Sequence, residues 1–222
     1  MVKFLDQSIT ASWRKNVAPW VSAIENGEIE SRVEVTNQAV LDAISKEKPS
    51  SLLDIGCGEG WLIREFVKVG VKCAGMDVVP EFSEYIHRSG AEFIQLSYEE
   101  FKSDKFQKKF DILVCNFSLL GKESVENIMI TSKELLKDEG AFIVQTIHPV
   151  EVSNDKNYVD GWREGSWAGF GNEFVEPAPW YFRTMESWNA LFRKAGYSDL
   201  SISEPRHPIT GNRLSVLFTA HR

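Results

Sequence analysis

The chain has 222 residues, 43% of them hydrophobic and 26% charged, which is enough for one well-buried domain and short for two. A net charge of −7 and a pI near 5.2 argue against a nucleic-acid partner, which calls for a basic face. No apolar run approaches the ~20 residues of a membrane span, and the opening "MVKFLDQSITASWRKN" lacks the apolar core of a signal peptide, so a cytoplasmic protein without membrane contact is expected.

The first 49 residues read as a helical cap, with helical spacing at Val33, Asn37, Val40, Leu41 and Ile44. "SLLDIG" (51–56) reads as a short buried strand, and "WLIREFVKVG" (61–70) has helical spacing. "VKCAGMDV" (71–78) is a second strand, followed by a helix from about Pro80 to Ser89 with proline in its first turn. "AEFIQLS" (91–97) and "FDILVCNF" (110–117) are the third and fourth strands. A long helix is expected over roughly 122–137, ended by Gly140, and then a strand, "AFIVQTIH" (141–148). Residues 149–182 show no clear period but are rich in Trp, Tyr and Phe with glycines between them. A helix (185–195) closed by Gly196 and two strand-like runs, 197–204 and 213–220, complete the chain. Strands alternating with helices predict an α/β fold with a doubly wound, mostly parallel, seven-stranded sheet. The three scattered cysteines, Cys57, Cys73 and Cys115, lie in or beside apolar runs and read as small buried residues, not as metal ligands.

The richest stretch is "LLDIGCGEGW" (52–61), with glycines at 56, 58 and 60. A dinucleotide loop spaces its glycines G-x-G-x-x-G, and its third glycine lets the helix pack close to the strand. Here Trp61 stands at that third position, and no Gly-Lys-Ser/Thr follows for a P-loop. Glycine at 56 and 58 still permits close approach of a ligand to the backbone. "LLDIGCGEGWL" resembles the first motif of the class I S-adenosylmethionine (SAM)-dependent methyltransferases, a family with a Rossmann-like fold. "CAGMDVVP", "FDILVCNFSLL" and "LLKDEGAFIV" resemble its segments around strands two, four and five, so the likeness runs over about residues 50–148. "YFRTMESWNALFRKAGY" resembles the late helix of its small-molecule members of the ubiquinone-biosynthesis type.

The resemblance implies SAM as methyl donor, S-adenosylhomocysteine (SAH) as product, and a small molecule methylated on oxygen or nitrogen. Gly56, Cys57 and Gly58 would then present backbone to the methionyl part, and Asp77, with Val78 beside it, would meet the ribose hydroxyls. Asp54 either faces the ammonium or braces the loop. Ser97 and Tyr98 follow strand three, where the family caps adenine. Asn116 touches the amino-acid portion or makes a turn, and Arg32 pairs with the carboxylate or with a surface acid. His148, at the end of strand five, is the candidate general base, with a turn-holding role as the alternative. Residues 149–182 are expected to form a lid, with Trp162, Trp167, Trp180 and Tyr181 lining an apolar acceptor pocket and Arg163 and Arg183 holding an acidic acceptor group. The expected organisation is a helical cap (1–49), a SAM-binding core (50–148), the lid (149–182) and a C-terminal helix with a strand pair (183–222), as a monomer or homodimer. Two rival readings are a methyltransferase-like binding subunit without activity and, opposed by Trp61, an NAD-dependent oxidoreductase.

Overall fold

A computed structural model describes residues 6–153, 157–171 and 173–222. Seven strands form one sheet: β1 (Ser51–Ile55), β2 (Lys72–Asp77), β3 (Glu92–Gln95), β4 (Phe110–Asn116), β5 (Leu136–Thr146), β8 (Asp199–Ser203) and β9 (Val216–His221). Their order is β3-β2-β1-β4-β5-β9-β8, parallel except for β9, which runs antiparallel to both of its neighbours. The central strands are continuous apolar runs because both of their faces are covered. Strand periodicity divides those runs. Leu53, Ile55, Leu113, Cys115, Phe142 and Val144 pack under α6 (Glu123–Leu135) and α8 (Met185–Lys194). Leu52, Ile112, Val114, Ala141 and Ile143 pack under α3 (Asn37–Lys46) and α4 (Trp61–Lys68).

The sequence puts the end of α6 too late and the start of β5 too late. The helix stops at Leu135, and Leu136 already pairs with Phe110. The register then jumps to Ile112↔Ala141, so the exposed Lys137, Asp138 and Glu139 bulge out and Gly140 lies inside the strand. Burying Leu136 against the sheet outweighs the helical preference of the polar residues after it.

Before β1 come α1 (Asp6–Lys15), α2 (Val17–Glu25) and a π-helical turn over Arg32–Thr36 that leads into α3, and α5 (Ser83–Arg88) lies between β2 and β3. The described residues of 149–182 have more regular structure than the sequence suggests. They hold a short helix, α7 (Pro149–Val152), and a two-stranded ribbon of β6 (Gly161–Arg163) and β7 (Trp180–Phe182). Among the described residues no helix is long and apolar enough to cross a membrane.

Candidate active site

The strand order reverses between β1 and β4, and ligands in open α/β sheets bind beyond the carboxyl ends of strands at such a point. A cleft of about 1020 Å3, solvent at its mouth included, lies there. All ten residues read from the sequence as donor-binding line it: Arg32, Asp54, Gly56, Cys57, Gly58, Asp77, Val78, Ser97, Tyr98 and Asn116.

The loop after β1 is held from below. The amides of Gly56 and Cys57 both donate to the Met76 carbonyl, at 2.7 and 3.1 Å. Gly56 has φ +75°, and a β-carbon on it would lie 2.2 Å from the Tyr98 hydroxyl. Tyr98 donates to the Ile55 and Ser118 carbonyls, so its ring braces the floor of the loop. The Asp77 carboxylate accepts from the Gly58 amide (3.1 Å) and the Val79 amide (2.9 Å), tying the ends of β1 and β2 together. At the end of β4, Asn116 lines the cleft, and its buried Oδ1 has no hydrogen-bond partner among the described residues.

Charge is concentrated here. Asp6, Asp54, Glu59, Asp77 and Glu99 line the cleft, and Arg32 is the cation among them. The Arg32 guanidinium sits between the Trp20 and Trp61 rings, 5.4 and 5.2 Å from their centroids, and Nε donates to the Asn37 Oδ1. Trp61, which excluded a dinucleotide fingerprint, thus serves as a platform for that cation. Burial, reinforced by Glu59 and Asp77, pushes the Asp54 carboxyl up to about 8, and Arg32 opposes this. Burial likewise pushes Asp77 up to about 6, against the hydrogen bonds from Val79 and Gly58.

The roof of the cleft is not the segment that the sequence suggested. No described residue of 149–182 lines it; the roof is α1 and α2, through Asp6, Ile9, Thr10, Trp13 and Trp20. The aromatic segment packs outside this roof. Trp167 meets Trp13 edge-on at 5.7 Å. Asn16 and Val175 exchange two hydrogen bonds, and Ser12 donates to the Glu176 carbonyl. At its other end α1 is pinned by Asp6, whose carboxylate accepts from the Lys122 and Ser124 amides at the first turn of α6.

The six residues expected to hold the acceptor lie elsewhere. Trp162 packs edge-on against Tyr181, whose amide donates to the Leu120 carbonyl. Trp180, Tyr181 and Arg183 border a smaller apolar cavity of about 310 Å3 behind Leu120. Arg163 is spent on the Asn157 and Val159 carbonyls. Arg183 is buried, donates to the Gly121 and Lys122 carbonyls, and stacks on Tyr181 and Trp188. Neither arginine faces the cleft.

His148 is also outside it. The ring is 1% exposed, and Nε2 is 2.9 Å from the Glu204 carboxylate beyond β8. That contact, with Arg213 and Arg206 nearby, holds Glu204 below the ordinary carboxylate range. The geometry favours the turn-holding alternative. His148→Ala is therefore expected to leave SAH affinity unchanged in calorimetry and to cost about 1–3 kcal/mol of stability in chemical denaturation. Loss of SAH binding by the folded variant contradicts this assignment.

Sequence reasoning missed the roof residues and Glu59. The signal for the roof was present, since Asp6, Ile9, Thr10 and Trp13 follow the i, i+3, i+4, i+7 stripe of one helix face. Glu59 stands between two loop glycines, is 1% exposed, and accepts from the Trp20 indole and the Trp61 amide.

Comparison with known proteins gives the family and the fold. The family model described as "Methyltransferase domain" matches residues 29–202. A ubiquinone biosynthesis O-methyltransferase of Actinobacillus pleuropneumoniae serotype 7 (strain AP76) is 26% identical over 157 residues, covering 65% of this chain and 66% of that enzyme. The chain thus spans just under two thirds of the length of that relative. Among solved structures, an S-adenosylmethionine-dependent methyltransferase of Mesorhizobium loti superposes with a TM-score of 0.68 at 18% identity, covering 82% of this chain and 96% of that one. The 1,6-didemethyltoxoflavin-N1-methyltransferase of Burkholderia thailandensis, solved with 1,6-didemethyltoxoflavin and S-adenosylhomocysteine, superposes at 0.66 with 18% identity, covering 100% of this chain and 92% of that one. At such identities the two structures speak for the fold. The family match covers well over half of the chain and includes the glycine loop, Asp77 and Asn116, so this protein belongs to the methyltransferase-domain family.

Proposed function

We propose that the chain is a SAM-dependent methyltransferase acting on an oxygen or nitrogen atom of a small molecule. The observation that carries this reading is the buried, unpartnered Asn116 Oδ1 in a carboxylate-rich cleft beside the glycine loop. A buried acceptor without a donor costs about 1–3 kcal/mol, and an ammonium group answers it. Asn116 and Asp54 suit the ammonium of the donor, Arg32 its carboxylate, and the lone pairs left on Asp77 its ribose hydroxyls. SAM supplies a methyl group on a sulfonium sulfur, already activated for in-line displacement. The protein's part is to hold the acceptor in line and to exclude water, which α1 and α2 do as the roof. The three free, buried cysteines support a reducing, cytoplasmic setting.

Calorimetric titration with SAM, SAH and NADH is the test. Both adenosyl ligands are expected to bind, and Asp77→Ala to weaken SAH by about 1–3 kcal/mol, the usual range for hydrogen bonds to a charged group. Binding of NADH in place of SAM and SAH overturns the reading.

A further inference from the structure

We propose that the methyl acceptor is a small amine carrying an apolar, aromatic-sized group, and that the reaction is an N-methylation. The inference rests on reading the cleft as a SAM site. Beyond the residues assigned to the donor, the cleft continues between α1 and the loop after β4, and Asp6, Ile9, Thr10, Trp13, Phe117 and Leu120 border this end. Its walls are largely apolar and aromatic, and Asp6 is its charged group.

Two arginines stood ready for an acidic acceptor in the sequence, and the fold commits both elsewhere. Arg163 is turned onto loop carbonyls, and Arg183 lies behind the Gly121–Lys122 backbone, which it clamps. Among the described residues, Arg32 is the cation lining the cleft, and it is held between two indoles beside the donor's end. A carboxylate or phosphate entering this end meets the Asp6 carboxylate and, among the described residues that border it, no cation. An ammonium meets Asp6, whose oxygens have lone pairs left after accepting from the Lys122 and Ser124 amides, with the Trp13 side chain in the same wall.

The charge flow of the reaction points the same way. The incoming ammonium first yields a proton to solvent. Its lone pair then forms the new N–C bond while the C–S pair stays on sulfur. Positive charge passes from sulfur to nitrogen and remains in the cleft, where the carboxylates stabilise it throughout. An oxyanion acceptor would have to be brought among those carboxylates, and the transfer would erase the charge they stabilise. An amine also needs no protein base once it has lost that proton, in keeping with a cleft from which His148 is turned away.

The test titrates three probes of matched size into the protein at pH 8 with saturating SAH: 2-phenylethylamine, 2-phenylethanol and 3-phenylpropionate. The amine is expected to bind at least about tenfold more tightly than the carboxylate, equivalent to 1.4 kcal/mol, with the alcohol between them. Asp6→Asn should remove most of that preference. Because Asp6 also caps α6, Thr10→Lys serves as a second variant, since it places a cation on the same helix face and leaves the Asp6 hydrogen bonds in place; it should invert the order. Failure of SAH itself to bind overturns the proposed function and this inference together. If SAH binds, two results overturn this inference alone: equal or tighter binding of the carboxylate, or no binding of the amine up to about 10 mM.

Discussion

Gly56→Ala is expected to abolish detectable SAH binding and to cost about 2–4 kcal/mol of stability, the sum of a left-handed backbone conformation and an overpacked contact. Residue 56 has φ +75°, and its new β-carbon would lie 2.2 Å from the Tyr98 hydroxyl and 2.5 Å from the Ser118 β-carbon. Neither neighbour can give way cheaply. Both side chains are hydrogen-bonded to the Ile55 carbonyl directly beneath the loop. The backbone must move instead, and it is the backbone that a ligand approaches. Gly90→Ala is the control: its φ is +82°, yet a β-carbon there meets nothing within 4 Å. That variant should show only the conformational cost, about 1 kcal/mol, and keep full affinity. Binding by Gly56→Ala at the level of the native protein would remove the loop from the site.

A second large effect concerns pH. Asp54 is buried, and its carboxyl is pushed up to about 8, first by burial and then by Glu59 and Asp77. Its pKa in the folded, ligand-free protein thus lies above the value of about 3.9 in an unfolded chain. Such a group favours the folded state most at low pH, and that contribution is lost as the pH rises from about 4 to about 8. A cation bound beside Asp54 reverses the relation, because it needs the carboxylate. SAM affinity should therefore climb as the pH rises from 6 to 8, by up to about tenfold per unit for one released proton, and level off above that. SAH carries the same ammonium, so its affinity should climb in parallel. The melting shift produced by SAM should be larger at pH 8.5 than at pH 6. Asp54→Asn is expected to raise the melting temperature of the ligand-free protein at pH 8 and to weaken SAM by about tenfold or more, since a hydrogen bond to a charged group contributes roughly 1.5–3 kcal/mol. It should also flatten the pH profile. An unchanged profile in that variant would assign the titration to other groups, Asp77 first among them.

Much of this was legible because it is local. Strands β1, β2, β4 and β5 announce themselves as short, mostly apolar runs, and their parallel order follows from the helices between them. The positions of Gly56, Asp77 and Asn116 at strand ends are enough to bring them together in such a sheet. What stayed hidden depends on partners far along the chain. Whether a tryptophan lines a pocket or props a helix cannot be read from "GSWAGF", because Trp167 takes its role from Trp13. The direction of the His148 ring is set by Glu204, 56 residues later. Arg183 reads as a ligand-holding cation until the Gly121 and Lys122 carbonyls, about sixty positions earlier, claim its donors. Buried backbone acceptors compete with ligands for such side chains, and sequence does not show the competition.

The Asp6 cap and the Asn16–Val175 pair also bear on the order in which the molecule assembles. The residues that dock α1 stand 116 to 164 positions further along the chain. On a ribosome, α1 emerges before every one of these partners and must wait for more than a hundred further residues before they exist. The parallel core, whose neighbours emerge soon after one another, can close first. Docking α1 then completes the first turn of α6 and roofs the cleft in one late step. Deleting α1 would accordingly leave the sheet intact and act on this last step, yielding a protein that is folded by spectroscopy and open at its site.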